Sequence, residues 1–349
     1  MEKRKLLIVD DSALIRNAIR SAFEAEPGII VAGEAANGKE ALEVISEINP
    51  DVITLDINMP VMDGLRTLKN IMIRFPKPTI MCSTLTKEGA QTTFDALKFG
   101  ALDFIHKPSR LKDMDLTIQN RDIVKKVTLA ADVDMKKVVF MRRAQGNKKR
   151  QANSRPCRKI LATGTSEGGY SSLLNFIPQL SPDLDAGLVV VLYSDPAHMD
   201  SFIHYLDRNS LVNVKRAVAG EAVQSGVCYI TSGTEYTTVS PNTGNGYILN
   251  VEPSPFPDQQ RAVNMLMLSL ADTLKSNAAG IILSGGGEDG AEGMAEIFNV
   301  GGETIVQDPA SCLCSDMARA SITACRSHLV VAARVMADKV NKRFSMIYN

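Results

Sequence analysis

The sequence holds four histidines in 349 residues and no tryptophan. No apolar run approaches the length of a membrane span, which excludes insertion of a helix into a bilayer. The start, MEKRKLLIVDD, offers four consecutive apolar residues behind its charges. That is a strand rather than a signal peptide, and the expected location is cytoplasmic. Six cysteines in a chain of this length do not read as a disulfide framework. Cys312 and Cys314 form a C-x-C with no second pair at zinc-ligand spacing, so reduced and largely buried thiols are expected. Net charge is zero but uneven: ten Lys/Arg and no Asp/Glu lie from Lys136 to Lys159, leaving the remainder net negative by ten. This stretch contains AQGNKKRQANSRP, which is polar and lacks helical periodicity, as a solvated linker would. No groove-reading motif accompanies it, so nucleic acid is not an expected partner.

Present instead is a repeated rhythm of short apolar runs and helical patterns, in a chain long enough for two domains. Residues 1–125 carry apolar runs at 6–9, 29–35, 52–56, 79–83 and 103–107. Between them, segments such as SALIRNAIRSAF place apolar residues at helical spacing. Continuous apolar strands interleaved with helices predict a doubly wound parallel sheet covered on both faces, the flavodoxin-like plan. Ligands of such sheets bind at the carboxyl ends of the strands.

Polar residues collect at those ends. Asp10 and Asp11 follow the first strand, Asp56 ends the third, Ser83 the fourth and Lys107 the fifth. Three converging carboxylates repel one another unless a cation joins them, and a magnesium ion accepts such oxygen ligands. Lys107 and Ser83 suit phosphoryl oxygens, and Asp56 is placed to accept a phosphoryl group as a carboxylate nucleophile. The motifs DDS, LDINMPVMDG, Ser83-Thr84 and KPS at 107–109 closely resemble the receiver domain of two-component response regulators. The resemblance implies phosphorylation of Asp56 by a histidine kinase. It also implies Mg2+ held by Asp11, Asp56 and the Asn58 carbonyl, with Asp10 in its outer shell. Phe104 takes the position of the switch aromatic, and a cis bond is expected between Lys107 and Pro108.

After a helical end and basic linker at 126–156, a second domain is expected over 157–345. Strands are expected at 159–163, 188–193, 214–220, 227–231, 279–285, 303–308 and 328–333, with a hairpin around SPNTGNGYIL. This predicts a larger doubly wound α/β domain with an antiparallel insertion. The stretch GTSEGG fits the G-x-S-x-G nucleophile elbow, an apolar run before it and a helical segment after. Its glycines permit a sharp turn that exposes the Ser166 hydroxyl. A second glycine-rich segment, ILSGGGEDGAEGM, puts Asp289 beyond a strand, and the absence of G-K-[ST] argues against a nucleotide loop. Together the two segments resemble the catalytic domain of chemotaxis protein-glutamate methylesterases, which also carry a receiver at the N-terminus. The resemblance implies Ser166 as nucleophile and Asp289 as the carboxylate that orients a histidine base. The implied substrates are glutamyl methyl esters of methyl-accepting chemoreceptors. The receiver is implied to cover the esterase site until Asp56 is phosphorylated.

A serine hydroxyl needs a base. Aligned on Pro196, the family's histidine position is Ser194. His106 lies in the receiver, His328 begins its strand at the opposite edge, and His204 is on the helix beyond. His198 sits four residues past the expected position, about one helical turn or 5–6 Å away, where a base must come within about 3 Å. Asp195 would be a weak base. Gly233-Thr234-Glu235-Tyr236 and SPFPDQQRAV, with Asp258 and Arg261, depart from the family's turns. Glu167 follows the nucleophile, where a carboxylate would oppose an oxyanion. The leading expectation is therefore a response regulator whose hydrolase site is degraded and whose output is binding. The rival is an active methylesterase, with deamidation as a related activity, using Ser166, Asp289 and a displaced base such as His198.

Overall fold

The computed structural model describes residues 3–83, 87–107, 116–135, 157–194, 196–244, 246–255, 259–325 and 329–345. Linker residues 136–156, Thr84, Pro108, Ser109, Asp195, Asp258 and His328 lie outside the described residues, and with them the expected cis bond. The chain divides into two compact units, Met1–Met141 and Arg142–Asn349.

In the first unit the elements run β1 (Arg4–Val9), α1 (Ala13–Ala22), β2 (Ile29–Ala35), α2 (Gly38–Ile48), β3 (Val52–Asp56), α3 (Gly64–Arg74), β4 (Thr79–Ser83), α4 (Lys87–Lys98), β5 (Asp103–His106) and α5 (Leu116–Ala131). All sheet neighbours are parallel, in the order β2-β1-β3-β4-β5. Every residue of β3 and β4 is buried, which is why these strands read as largely apolar runs. Helix starts are set locally: Asn37 accepts from the Lys39 and Glu40 N–H groups, and Asp63 from Arg66 N–H.

The second unit continues with β6 (Ile160–Thr165), α6 (Gly169–Phe176), β7 (Gly187–Leu192), α7 (Pro196–Arg208), β8 (Asn213–Arg216), β9 (Val227–Ser232), β10 (Glu235–Asn242), β11 (Gly246–Pro253) and α8 (Ala262–Leu274). It ends with β12 (Ala278–Ile282), α9 (Ala291–Asn299), β13 (Glu303–Gln307), α10 (Asp316–Ala324), β14 (Leu329–Val331) and α11 (Ala333–Phe344). Seven strands form a parallel sheet, ordered β14-β13-β12-β6-β7-β9-β8. Strands β10 and β11 form the antiparallel hairpin, in register from Glu235 opposite Pro253 to Asn242 opposite Gly246. The hairpin packs on α8: Val239 and Leu249 share a buried cluster with Leu266 and Leu270, and Val239 N–H donates to Ser269 Oγ at 3.1 Å. The doubly wound α/β plan with an antiparallel insertion is the one the sequence predicts.

Three strands are markedly shorter than expected: those at 214–220, 279–285 and 328–333 are Asn213–Arg216, Ala278–Ile282 and Leu329–Val331. The run at 214–220 leaves the sheet after Arg216, because Gly220 turns at φ +79° and donates its N–H to the Leu249 carbonyl at 2.8 Å. The segment that follows bonds to β11 of the hairpin, Leu249 N–H donating to the Glu221 carbonyl at 2.9 Å, instead of lengthening the sheet edge. Among the described residues, no helix is long and apolar enough to cross a membrane.

Both sheets contain a point where the strand order reverses. In the first it lies between β1 and β3, in the second between β6 and β12. Crevices open beyond the carboxyl ends of the strands at such points.

Candidate functional sites

The first reversal point gathers acids. Asp10 follows β1 and Asp56 ends β3; both are buried, while Asp11 is exposed. Each of the three has a carboxylate oxygen within 4.8 Å of the others. Lys107, just past β5, reaches both buried acids: its Nζ is 2.9 Å from Asp10 Oδ2 and 2.8 Å from Asp56 Oδ2. Among the described residues Lys107 is the one partner of each of these oxygens. Burial raises the Asp56 pKa, Lys107 and the Asn58 N–H pull it back, and the net direction is upward. Burial lowers that of Lys107, but its two acidic partners more than reverse this. Buried, under-bonded carboxylate oxygens around one crevice fit a hard divalent cation. Ser83 Oγ accepts from Thr93 Oγ1 at 3.0 Å. Phe104 is buried and meets Phe94 edge to face, ring centroids 6.2 Å apart.

The second reversal point holds Ser166, directly after β6. Gly168, at φ +76°, makes the sharp turn into α6. A Cβ there would fall 2.7 Å from Leu313 Cβ, so the position requires glycine on both counts. Across the crevice, the segment after β12 presses close: a Cβ on Gly285 would lie 2.7 Å from Ser166 Oγ and 2.9 Å from its backbone nitrogen. The Ser166 N–H donates to the Ser284 carbonyl at 3.1 Å. Ser166 Oγ donates to Glu167 Oε2 at 2.7 Å, and Gly286 N–H points at both atoms, 2.8 Å from each. Met317 Sδ lies 3.7 Å from the same hydroxyl.

Asp289 is buried and fully engaged. Its Oδ2 accepts from Tyr193 Oη at 2.7 Å and from Val263 N–H at 2.9 Å, and its Oδ1 from Asn264 N–H at 2.9 Å. Tyr193 Oη in turn accepts from Ala262 N–H at 2.9 Å. Burial first, then the charge and hydrogen bond of Asp289, push the Tyr193 phenol well above its ordinary pKa.

The residue facing Asp289 is not one the sequence singled out. Counting back from Pro196 selects Ser194, but the side chain that reaches Asp289 is Tyr193, the first residue after β7. Ser194 Oγ is buried with no hydrogen-bond partner. His198 is buried on α7 and is not among the partners of Ser166 or Asp289. Counting from the end of β7 would have found Tyr193. Nothing in the sequence signalled that Glu167 would turn onto its neighbour's hydroxyl.

Two family models match the chain: the response regulator receiver domain over residues 6–119 and the CheB methylesterase over residues 161–340. A protein-glutamate methylesterase/protein-glutamine glutaminase of Pyrococcus horikoshii is 35% identical over 351 residues, covering 99% of this chain and 95% of its own length. The chain belongs to the CheB methylesterase family. A relative of the same description from Archaeoglobus fulgidus is 37% identical over 321 residues, 91% of each chain. The crystal structure of the Thermotoga maritima CheB methylesterase catalytic domain is 29% identical with a TM-score of 0.51, covering 53% of this chain and 98% of that one. Relatives matched over nearly the whole chain thus carry the names of enzymes. The CheB kinship gives no support to the expectation of a degraded hydrolase site with output by binding alone, nor to a serine in place of the family's histidine.

Proposed function

We propose that the chain is a phosphorylation-controlled protein-glutamate methylesterase, with glutaminyl deamidation as a related activity. The observation that carries the reading is Ser166: its hydroxyl stands on the turn after β6 at the reversal point, hydrogen-bonded to a carboxylate, in a chain akin to named esterases from end to end. Ser166 Oγ attacks the ester carbonyl and methanol leaves; water then releases the glutamate side chain. A glutamine side chain would release ammonia by the same route. The substrate class is the methyl-accepting chemoreceptor, and the setting is the cytoplasm.

Asp56 is the phosphoacceptor, supplied by a histidine kinase. Asp11, Asp56 and the Asn58 carbonyl would hold Mg2+, with Asp10 in its outer shell; the ion would neutralise phosphoryl charge. Lys107 and Ser83 contact the phosphoryl group, and Phe104 belongs to the switch. The test is methanol release from a methylated receptor fragment by the full chain, with and without a small-molecule phosphodonor in magnesium. Turnover that rises with phosphorylation and disappears in Ser166→Ala supports the reading. No turnover with Asp56 demonstrably phosphorylated refutes it and leaves a switchable binding protein.

A further inference from the structure

The proposed esterase needs a group to take the Ser166 proton, and among the described residues no histidine is a hydrogen-bond partner of Ser166. Tyr193 cannot serve. It already donates its proton to Asp289, accepts from Ala262 N–H, and is held neutral by burial. Asp289 cannot serve either, since three donors occupy its two oxygens. Met317 offers a thioether, which is no base at neutral pH. Of the hydroxyl's two remaining acceptors, the Gly286 carbonyl at 3.5 Å is no base, which leaves the carboxylate of the next residue at 2.7 Å.

We propose that Glu167 is the general base of Ser166, so that this chain runs its hydrolysis on a serine–carboxylate pair. This rests on the esterase reading above. The distance is within the reach a base requires. Glu167 is half-buried rather than enclosed. Gly286 N–H holds Oε2 beside Oγ, and the bare Cα of Gly285 lets that strand end approach.

The step balances. Ser166 Oγ bonds to the carbonyl carbon as its proton passes to Glu167 Oε2. The carbon–methoxy bond breaks, and the leaving oxygen takes the proton from Glu167 to give methanol. A water molecule attacks the acyl-serine, its proton passes to Glu167, and Oγ leaves with that proton to restore the serine. The Tyr193–Asp289 pair takes no part and holds the start of α8.

The experiment uses the phosphorylated full chain and two readouts: methanol release from methylated receptor, and covalent labelling of Ser166 by a fluorophosphonate, which needs an activated serine but no receptor. Glu167→Gln keeps the shape and an acceptor for Gly286 N–H but cannot take a proton. Both rates should fall about 100-fold or more in it. The wild-type rate should show no acid limb in the imidazole range near ~6.5. A wild type that turns over with an imidazole-type limb, or a Glu167→Gln chain that labels as fast as wild type, overturns the base while leaving the esterase standing. Loss of turnover in His198→Ala would likewise transfer the role to His198. A wild type that neither releases methanol nor takes the label overturns both readings.

Discussion

Replacing Tyr193 by phenylalanine removes one oxygen and changes two hydrogen bonds. The first is the 2.7 Å bond to the Asp289 carboxylate. A hydrogen bond to a charged group contributes about 1.5–3 kcal/mol. Asp289 keeps the Val263 and Asn264 N–H groups, so the carboxylate is not left alone and the lower end applies. The second is the bond from Ala262 N–H, on a residue with no exposed surface. Leaving a buried donor unmet costs about 1–3 kcal/mol. The combined loss should be roughly 2–4 kcal/mol in the second unit. With no tryptophan as reporter, the cysteines serve: Cys157, Cys228, Cys312, Cys314 and Cys325 are buried there, and Cys82 is buried in the first unit. Burial pushes the Cys157 thiol up to about 11 and that of Cys312 to about 12, so labelling of either requires opening. Thiol labelling through a urea titration should show the second-unit midpoint lowered by about 1–2 M, with the Cys82 transition unmoved. The sign with pH follows from the raised phenol. An unfolded tyrosine ionises near ~10 while the folded one keeps its proton. The contribution is intact below that pH and is lost as pH rises beyond it. Wild type should therefore weaken on the alkaline side more steeply than Tyr193→Phe. A second-unit midpoint shift under about 0.3 M, or parallel alkaline limbs, would refute the assignment.

Two further outcomes follow from the crevices. Gly285→Ala would put a methyl 2.2 Å from Met317 Sδ, which can swing away, and 2.9 Å from the Ser166 backbone nitrogen, which cannot. Fluorophosphonate labelling should slow about 100-fold with a stability loss of about 1–3 kcal/mol; an unchanged labelling rate would contradict the packing argument. In the receiver, Asp10→Asn should weaken Mg2+ binding about 10–100-fold, read as the magnesium dependence of phosphoryl uptake from a small-molecule donor. A magnesium dependence identical to wild type would exclude Asp10 from the site.

The parallel strands were legible because they are buried on both faces: 52–56 and 79–83 are mostly apolar and carry no charge before Asp56. The acids at the first crevice were legible for the complementary reason, as charges directly after such runs. Legibility failed where side-chain direction, not residue type, decides. Tyr193 and Ser194 adjoin in sequence, yet only Tyr193 reaches Asp289, and alignment on Pro196 carries no information on which side chain turns inward. Glu167 appeared hostile to the chemistry when judged by charge alone. Its contact with the hydroxyl side of Ser166 depends on the turn at Gly168 and the approach of Gly286.

Asp289 has a counterpart in Asn264. The acid, lying just before α9, accepts from the first turn of α8. The amide, on α8, accepts from Gly290 and Gly293 at the start of α9 at 3.0 and 2.9 Å. Each helix thus carries the other's cap, and the two starts are fastened as a pair. A carboxylate employed in this way is retained by folding whatever the chemistry demands of it. In a library of variants sorted by activity, position 289 would score as intolerant even if it never influenced a proton. Only scoring abundance beside turnover would separate a fastening from a reagent.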